Sequence, residues 1–377
     1  MADKNSRKIK VLMVGPHPPP PGGMANYIQN LESSNLKERY EIRAFDTDYP
    51  RLIRKLRPFS IAWLPIMYLQ YRSVLLDFKP DIVHIHTPSF YGFIKHTRFM
   101  SGAKNTKMRV IMHVHAGKFR QFYEGLCEYG KGWVRRELKK ADRLVVLSNN
   151  WRDFFKTIYP EDSIRIVRNG IQLSSFRPSG NIANRTGCRF IYVGKVVPPK
   201  GIIELIKASA IVAKEHPDFH LRIVGSGRQI HRYLNLSKSL GMEIRIDFVG
   251  EKTGQALIDL YNESDIFVLP SYAEGMPLVL LEAMAMKLAV IATNVGAIPE
   301  VLTPGGGIII PPGDTDALAQ AMLSMAGKVD VINSMGDENR KIIEREYSFD
   351  RVAKEVGAIY EELVPQKPVL MVNAQIE

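Results

Sequence analysis

Short apolar runs alternate with longer stretches of helical spacing along the whole chain. Residues 8–14, 41–45, 81–86, 109–115 and 144–147 read as strands that run into Gly, Pro or Ser. Residues 190–193, 220–224, 246–249, 266–269, 289–293 and 308–311 repeat that pattern in the second half. Strands separated by helices in this way predict an α/β chain with two doubly wound, Rossmann-like domains facing each other across a cleft. The crossing lies near Asn169-Gly170, a turn pair, followed by extended Arg177-Pro178 and a polar linker, 179–187. The expected domains are 1–177 and 178–348, leaving a terminal segment, 349–377.

The most informative stretch is 265–291. Its apolar run 266–269 is a strand, 270–275 a turn, and Pro277 the expected first residue of a helix. A helix start after a parallel strand presents free N–H groups that favour an anion. Glu274 in the loop and Glu282 in the helix would repel that anion unless they bind hydroxyls, so a phosphorylated sugar satisfies both kinds of group. Two competing readings are a pair of solvated glutamates around an ordinary core helix, and the paired carboxylates of a glycosidase.

The string Pro270-Ser-x-x-Glu274-Gly275-x-Pro277-x-x-x-x-Glu282-Ala-Met-Ala resembles the signature of the retaining glycosyltransferases of the GT-B fold, family 4. The resemblance covers most of residues 8–365 and implies a nucleotide-diphosphate sugar as donor substrate, with a UDP-sugar expected first. It implies that Gly22 and Gly23, after the first strand, face the donor, and that His115, at the end of 109–115, contacts the donor sugar. Histidines 84 and 113 read instead as core residues satisfied by carbonyls.

Lys195 and Lys200, in the loop after 190–193, fit a diphosphate and stabilise charge as it leaves, though two solvated lysines explain them too. Gly275, Met276, Pro277, Leu278 and Val279 would bring backbone to the donor phosphates. Glu282 would take ribose hydroxyls, Glu274 the transferred sugar, and Glu251 lies where relatives hold the base. Glu282 then faces the nucleotide and cannot straddle the anomeric carbon, which favours transfer with retention over hydrolysis. Because the lysines can neutralise the pyrophosphate, no essential metal or separate cofactor is expected. In this fold the helical stretch 349–363 crosses back onto the first domain.

This chain departs from the family at Lys195, where Arg is usual, and at Lys287 and Ala289, where Gly and Pro are usual. Those departures keep a catalytically silent scaffold open as an alternative.

Composition narrows the partner. The chain has 377 residues, 45% hydrophobic and 24% charged, with net charge +12. Residues 1–180 hold 31 Lys+Arg against 15 Asp+Glu, while 181–377 hold 20 against 24, so the first half carries all the excess. Within it, Arg51, Arg54, Lys55, Arg57 and Arg72 are interleaved with Trp, Tyr, Leu and Ile over 49–79. That composition suits a helix lying in an anionic membrane interface; an amphipathic core helix beside a solvated loop is the competing reading.

A basic half also suits nucleic acid, but no helix-turn-helix, finger or RNA-recognition pattern accompanies it. No complete Gly-x-Gly-x-x-Gly follows a strand, which disfavours a dehydrogenase. Cys127 and Cys188 show no metal or disulfide spacing. The polar start and short apolar run 11–14 fit neither a signal peptide nor a span. The expectation is a cytoplasmic, peripheral protein at the inner membrane face that acts on a glycan or lipid-linked acceptor.

Overall fold

The computed structural model describes residues 7–18, 22–48, 63–115, 117–179, 187–302 and 305–365. Its first sheet holds β1 (Ile9–Gly15), β2 (Tyr40–Asp46), β3 (Ile82–Thr87), β4 (Arg109–Val114), β5 (Arg143–Val146) and β6 (Ile164–Ile166). The second holds β7 (Arg189–Val193), β8 (His220–Val224), β9 (Ile246–Gly250), β10 (Ile266–Leu269), β11 (Ala289–Thr293) and β12 (Gly307–Ile310). Spatial orders are β2-β1-β3-β4-β5-β6 and β12-β11-β10-β7-β8-β9, with parallel pairing throughout. Helical crossovers cover the faces of such sheets, which is why β3, β10 and β11 are buried along their whole length. This is the two-domain α/β architecture of the GT-B fold.

Strand order reverses between β1 and β3 in one sheet and between β7 and β10 in the other. Connections leave a switch point toward opposite faces and open a crevice outside the carboxyl ends of its strands. Topology therefore places the glycine loop after β1, the lysine loop after β7 and the Pro270–Gly275 loop after β10 at crevices.

The Phe349–Leu363 helix belongs to the second half by sequence but packs on the first sheet. Its Phe349, Val352, Val356 and Tyr360 share one apolar cluster with Ile9, Val11 and Met13 of β1. Burying each large apolar side chain contributes about 1.5–3 kcal/mol, so this face straps the helix to the sheet. The Tyr40 hydroxyl adds a hydrogen bond to the Gly357 carbonyl at 3.0 Å.

The structure differs from the sequence expectation at Pro277. The helix runs Leu278–Ala285, and Pro277 is its N-cap with extended backbone (φ −73°, ψ 123°). Asn169 on the domain crossing donates to the Met276 carbonyl at 2.7 Å and holds the chain just before the helix.

Of the basic aromatic stretch, Arg51, Arg54, Lys55 and Arg57 lie outside the described residues. The described part is the Leu64–Phe78 helix, which buries Met67, Tyr71, Leu75 and Phe78 against the sheet. Its outward face keeps Ile66 at 43%, Leu69 at 66% and Leu76 at 62% exposure, so one helix carries both an inner and an outer apolar stripe.

Lys287 sits in the turn between the Leu278–Ala285 helix and β11 with φ +59°, a left-handed conformation that glycine adopts freely. An L side chain there costs roughly 1–2 kcal/mol. Lys287 and Ala289 stand at the amino end of β11, away from the carboxyl-end crevice, so their departure from family usage is a matter of local backbone. Lys287→Gly is expected to raise the thermal midpoint slightly, since it relieves strain while the pair it removes with Asp337 is partly exposed. Its activity should equal wild type; a loss of activity at unchanged midpoint would put Lys287 in the working machinery.

Candidate functional site

The site is assembled from three loops of the second domain and two of the first. After β7, the turn Pro198–Lys200 ends in Gly201, whose φ is +70°. A Cβ at Gly201 would lie 2.1 Å from the Pro270 carbonyl oxygen. Only glycine lets the lysine loop rest directly on the loop after β10, and the Tyr272 N–H then donates to the Pro199 carbonyl at 3.0 Å. This contact brings Lys200 Nζ to 2.5 Å from Glu274 Oε1, a carboxylate only 9% exposed. Lys195, on the same loop, is exposed. The two lysines thus differ in surroundings: one is paired with Glu274 and the other faces solvent.

Glu282 points elsewhere. Its Oε2 accepts from the Tyr261 hydroxyl at 3.0 Å. Burial pushes its pKa up to about 7, against the smaller opposing effect of that hydrogen bond. Glu251 is exposed after β9 and accepts from Ser226 Oγ at 3.2 Å.

The helix at Leu278 has no side-chain cap, so the N–H groups of Leu278 and Val279 are open; Leu280 donates to the Pro277 carbonyl at 3.2 Å. Across the cleft, the Gly23–Ser33 helix starts in the same way, with Gly22 as an uncapped N-cap. A Cβ at Gly23 would lie 3.8 Å from Leu278 Cδ1. Two uncapped helix starts from different domains therefore meet at one gap, and both favour negative charge there.

The second contact between domains is made after β4. A Cβ at Gly117 would lie 2.3 Å from the Glu274 carbonyl carbon and 2.7 Å from the Gly275 nitrogen, so the absence of a side chain lets the two backbones touch. The His115 carbonyl oxygen lies 3.0 Å from the ideal Cβ position of Gly275. The His115 backbone is thereby placed beside Gly275, 160 residues further along the chain; its Nε2 lies 3.0 Å from His86 Nδ1. Burial pushes the His115 pKa down to about 3, which makes it a neutral ring. A small cavity of about 200 Å³ opens between Gly117, Arg120, Asn150, Tyr272 and Glu274.

His84 and His113 are buried, as read from sequence, but carbonyls do not satisfy them. His84 Nδ1 bonds the Tyr360 hydroxyl at 2.8 Å, and both ring nitrogens of His113 lack partners among the described residues. The reason is that the strapping helix and the aromatic cluster, rather than strand backbone, cover this face.

Arg120, Asn150 and Tyr261 carry no motif that singles them out, and only their partners reveal them; Asn169 reads from sequence as part of a turn pair and His86 as part of a strand, with no site role for either. Two Asp-x-Asp strings occur, and neither joins the lysine loop in the described contacts. Asp46 of Asp46-Thr47-Asp48 accepts from the His17 and Asp48 N–H groups, and Asp314 of Asp314-Thr315-Asp316 caps a helix through the Ala317 N–H.

Among the described residues, two groups come within 4.8 Å as potential metal ligands: His84, His86 and His113, and Cys188, His216 and Asp218. The first is fully buried and contains no carboxylate to balance a dication. The second lies at the amino end of β7, opposite the loops at the carboxyl ends of the strands.

The chain matches the family described as Glycosyl transferases group 1 over residues 180–341 and Glycosyltransferase Family 4 over residues 21–175. It is 29% identical over 242 residues to the D-inositol 3-phosphate glycosyltransferase of Saccharomonospora viridis, covering 59% of this chain and 56% of that one. It is 29% identical over 200 residues to the capsular polysaccharide biosynthesis glycosyltransferase CapM of Staphylococcus aureus, covering 51% and 52%. The chain thus spans about half the length of these curated relatives.

Its fold is similar to sucrose-phosphate synthase from Thermosynechococcus elongatus (TM-score 0.78, 20% identity, 94% of this chain and 99% of that one). It is also similar to Anabaena HepE in complex with UDP-glucose (TM-score 0.76, 15% identity, 94% and 100%). The two family matches, one on each domain of a GT-B fold, show that the chain belongs to the group 1, family 4 glycosyltransferases.

Proposed function

We propose that the protein transfers a sugar from a nucleotide-diphosphate sugar, with a UDP-sugar as donor, to a growing polysaccharide or lipid-linked acceptor at the cytoplasmic face of the membrane. The observation that carries this reading is the meeting of two uncapped helix starts, at Gly23 and Leu278, the second following the loop in which Glu274 pairs with Lys200. The diphosphate takes the open N–H groups and Lys200, with Lys195 reaching in from solvent. Glu282 accepts from ribose hydroxyls, Glu251 borders the base, and Glu274 and His115 hold the transferred sugar.

The two glutamates have different neighbours, Lys200 and Tyr261, which supports separate clamps over an acid–nucleophile couple. In the reaction the anomeric carbon–phosphate oxygen bond breaks and its electron pair leaves with the diphosphate. The acceptor oxygen bonds the anomeric carbon on the same face, giving retention, and its proton passes to the leaving phosphate. Charge on the leaving group is met by Lys200 and by helix N–H groups, so the step needs no metal. UDP-glucose in the HepE complex and the capsular polysaccharide role of CapM agree with the donor and acceptor classes.

A thermal-shift series with nucleoside diphosphates and their sugars tests the donor. UDP-sugars should raise the midpoint most, since a ligand that binds only the native state stabilises it. No shift with any nucleotide sugar would remove the reading.

The membrane part is supported by the outward Ile66, Leu69 and Leu76 stripe, by exposed Phe90, Tyr91 and Ile94 beside it, and by the basic first half. No helix among the described residues is long and apolar enough to cross a membrane, so the contact would be peripheral. The protein should float with anionic vesicles and be released by salt; equal recovery with neutral vesicles, insensitive to salt, would count against electrostatic docking.

A further inference from the structure

Histidines gather on one face at the carboxyl end of the first sheet. His84 and His86 alternate along β3, His86 pairs in register with His113 of β4, and His115 follows two residues later. Side chains two apart on a strand share a face, so register alone stacks these rings. His86 and His115 have ring centroids 5.2 Å apart, and Tyr27 lies against both at 5.6 and 4.9 Å. The cluster has a consequence for the chemistry of His115, because a hydrogen bond between two neutral imidazoles fixes which nitrogen of each carries the proton.

His86 Nδ1 lies 3.0 Å from His115 Nε2, and one of the two must donate. His86 Nε2 is buried without a partner. If His115 were the donor, the proton of His86 would sit on that Nε2, an N–H sealed in the core with no acceptor. If His86 donates from Nδ1, its Nε2 is a bare lone pair. Orphaned buried N–H groups are rarer than unfilled acceptors, and stranding a donor costs about 1–3 kcal/mol. The second arrangement is therefore favoured. His115 then accepts at Nε2 and carries its own proton on Nδ1, which has no hydrogen-bond partner among the described residues.

We propose that His86 is a positioning residue that locks His115 in the Nδ1–H tautomer, so that the site offers the transferred sugar a hydrogen-bond donor and not a base. This rests on the reading of the cleft as a donor-sugar site. The group met by His115 Nδ1–H would be an oxygen of the sugar, while Glu274 remains the acceptor for its hydroxyls. Burial keeps both rings neutral, with His86 held well below the ordinary histidine range. The other charged or titratable neighbours acting on His86 are His84, His113 and His96, all imidazoles that burial likewise keeps neutral.

The test is nitrogen-15 histidine labelling of the full chain with long-range proton–nitrogen correlation, His115 being assigned by loss of its signals in His115→Gln. The expected spectrum shows His115 protonated at Nδ1 and bare at Nε2; the reverse pattern overturns the proposal. His86→Val should mix the tautomers and lower kcat at least tenfold while donor affinity stays within twofold. His86→Asn, which can donate from its amide at the position of Nδ1, should restore both tautomer and rate. A folded His86→Val with the wild-type tautomer and rate overturns the assignment.

Where the valine variant does not fold, the wild-type spectrum decides alone. That spectrum also needs no turnover. A correct tautomer without transferase activity would thus reject the proposed function, and a reversed tautomer in an active enzyme would reject only this inference.

Discussion

Lys200→Ala is expected to lower kcat and kcat/KM together by roughly 100- to 1,000-fold, the scale of losing one group that stabilises a developing anion. Lys200 holds Glu274 at 2.5 Å. On the proposed reading, donor binding would exchange that partner, the ammonium turning to the diphosphate and the carboxylate to sugar hydroxyls. The lysine interaction strengthens as the bond to the diphosphate breaks, so its loss appears in kcat and not only in KM.

Removing Lys200 also leaves an almost buried carboxylate without its cation, which adds a ground-state defect. Glu274→Gln separates the two effects. If the pair acts as a unit, the double variant should be hardly worse than Lys200→Ala alone. Steady-state kinetics with the donor found by thermal shift make the measurement. Wild-type rates in Lys200→Ala, or a change confined to KM, would remove Lys200 from the leaving-group role.

For Glu282→Ala the expected result is a donor KM raised about 10- to 100-fold, matching about 1.5–3 kcal/mol for hydrogen bonds to a charged group. This glutamate also predicts a pH dependence. Burial raises its pKa from 4.5 to about 7 in the free protein. An ionised carboxylate is the better acceptor for ribose hydroxyls, so donor affinity should weaken as pH falls through about 7.

The effect on stability has the opposite sense. Between about 4.5 and about 7 the native state retains a proton that the unfolded chain has released. Stability from this group is therefore fully present below 4.5 and is lost as pH rises through about 7. Glu282→Gln, which cannot ionise, should flatten both profiles. Its midpoint relative to wild type should improve as pH rises across that window. A donor KM in Glu282→Gln with the same pH dependence as wild type would assign the titration to another group.

The sequence by itself determined the architecture and named the loops from which the candidate site is built. Short apolar runs separated by helical stretches point to parallel sheets, because parallel strands need crossovers of that length. The string from Pro270 to Glu282 lies on one strand–loop–helix unit, so its layout follows from local geometry and was legible before any fold was known. Its one local error was Pro277, which caps the helix and does not open it; the carbonyl just before it accepts from Asn169, more than a hundred residues earlier in the chain.

Only the tertiary structure decided the partners. The pairing of Lys200 with Glu274 depends on Gly201 resting on the Pro270 carbonyl, a contact between two strands' exit loops. The elevated pKa of Glu282 depends on burial beside Tyr261, which no spacing announces. His86 reaches His115 because β3 and β4 are neighbours in register. Local sequence fixes which chemistry each loop carries, but pairing across loops and domains is a property of how the sheets are ordered and how closely their backbones approach.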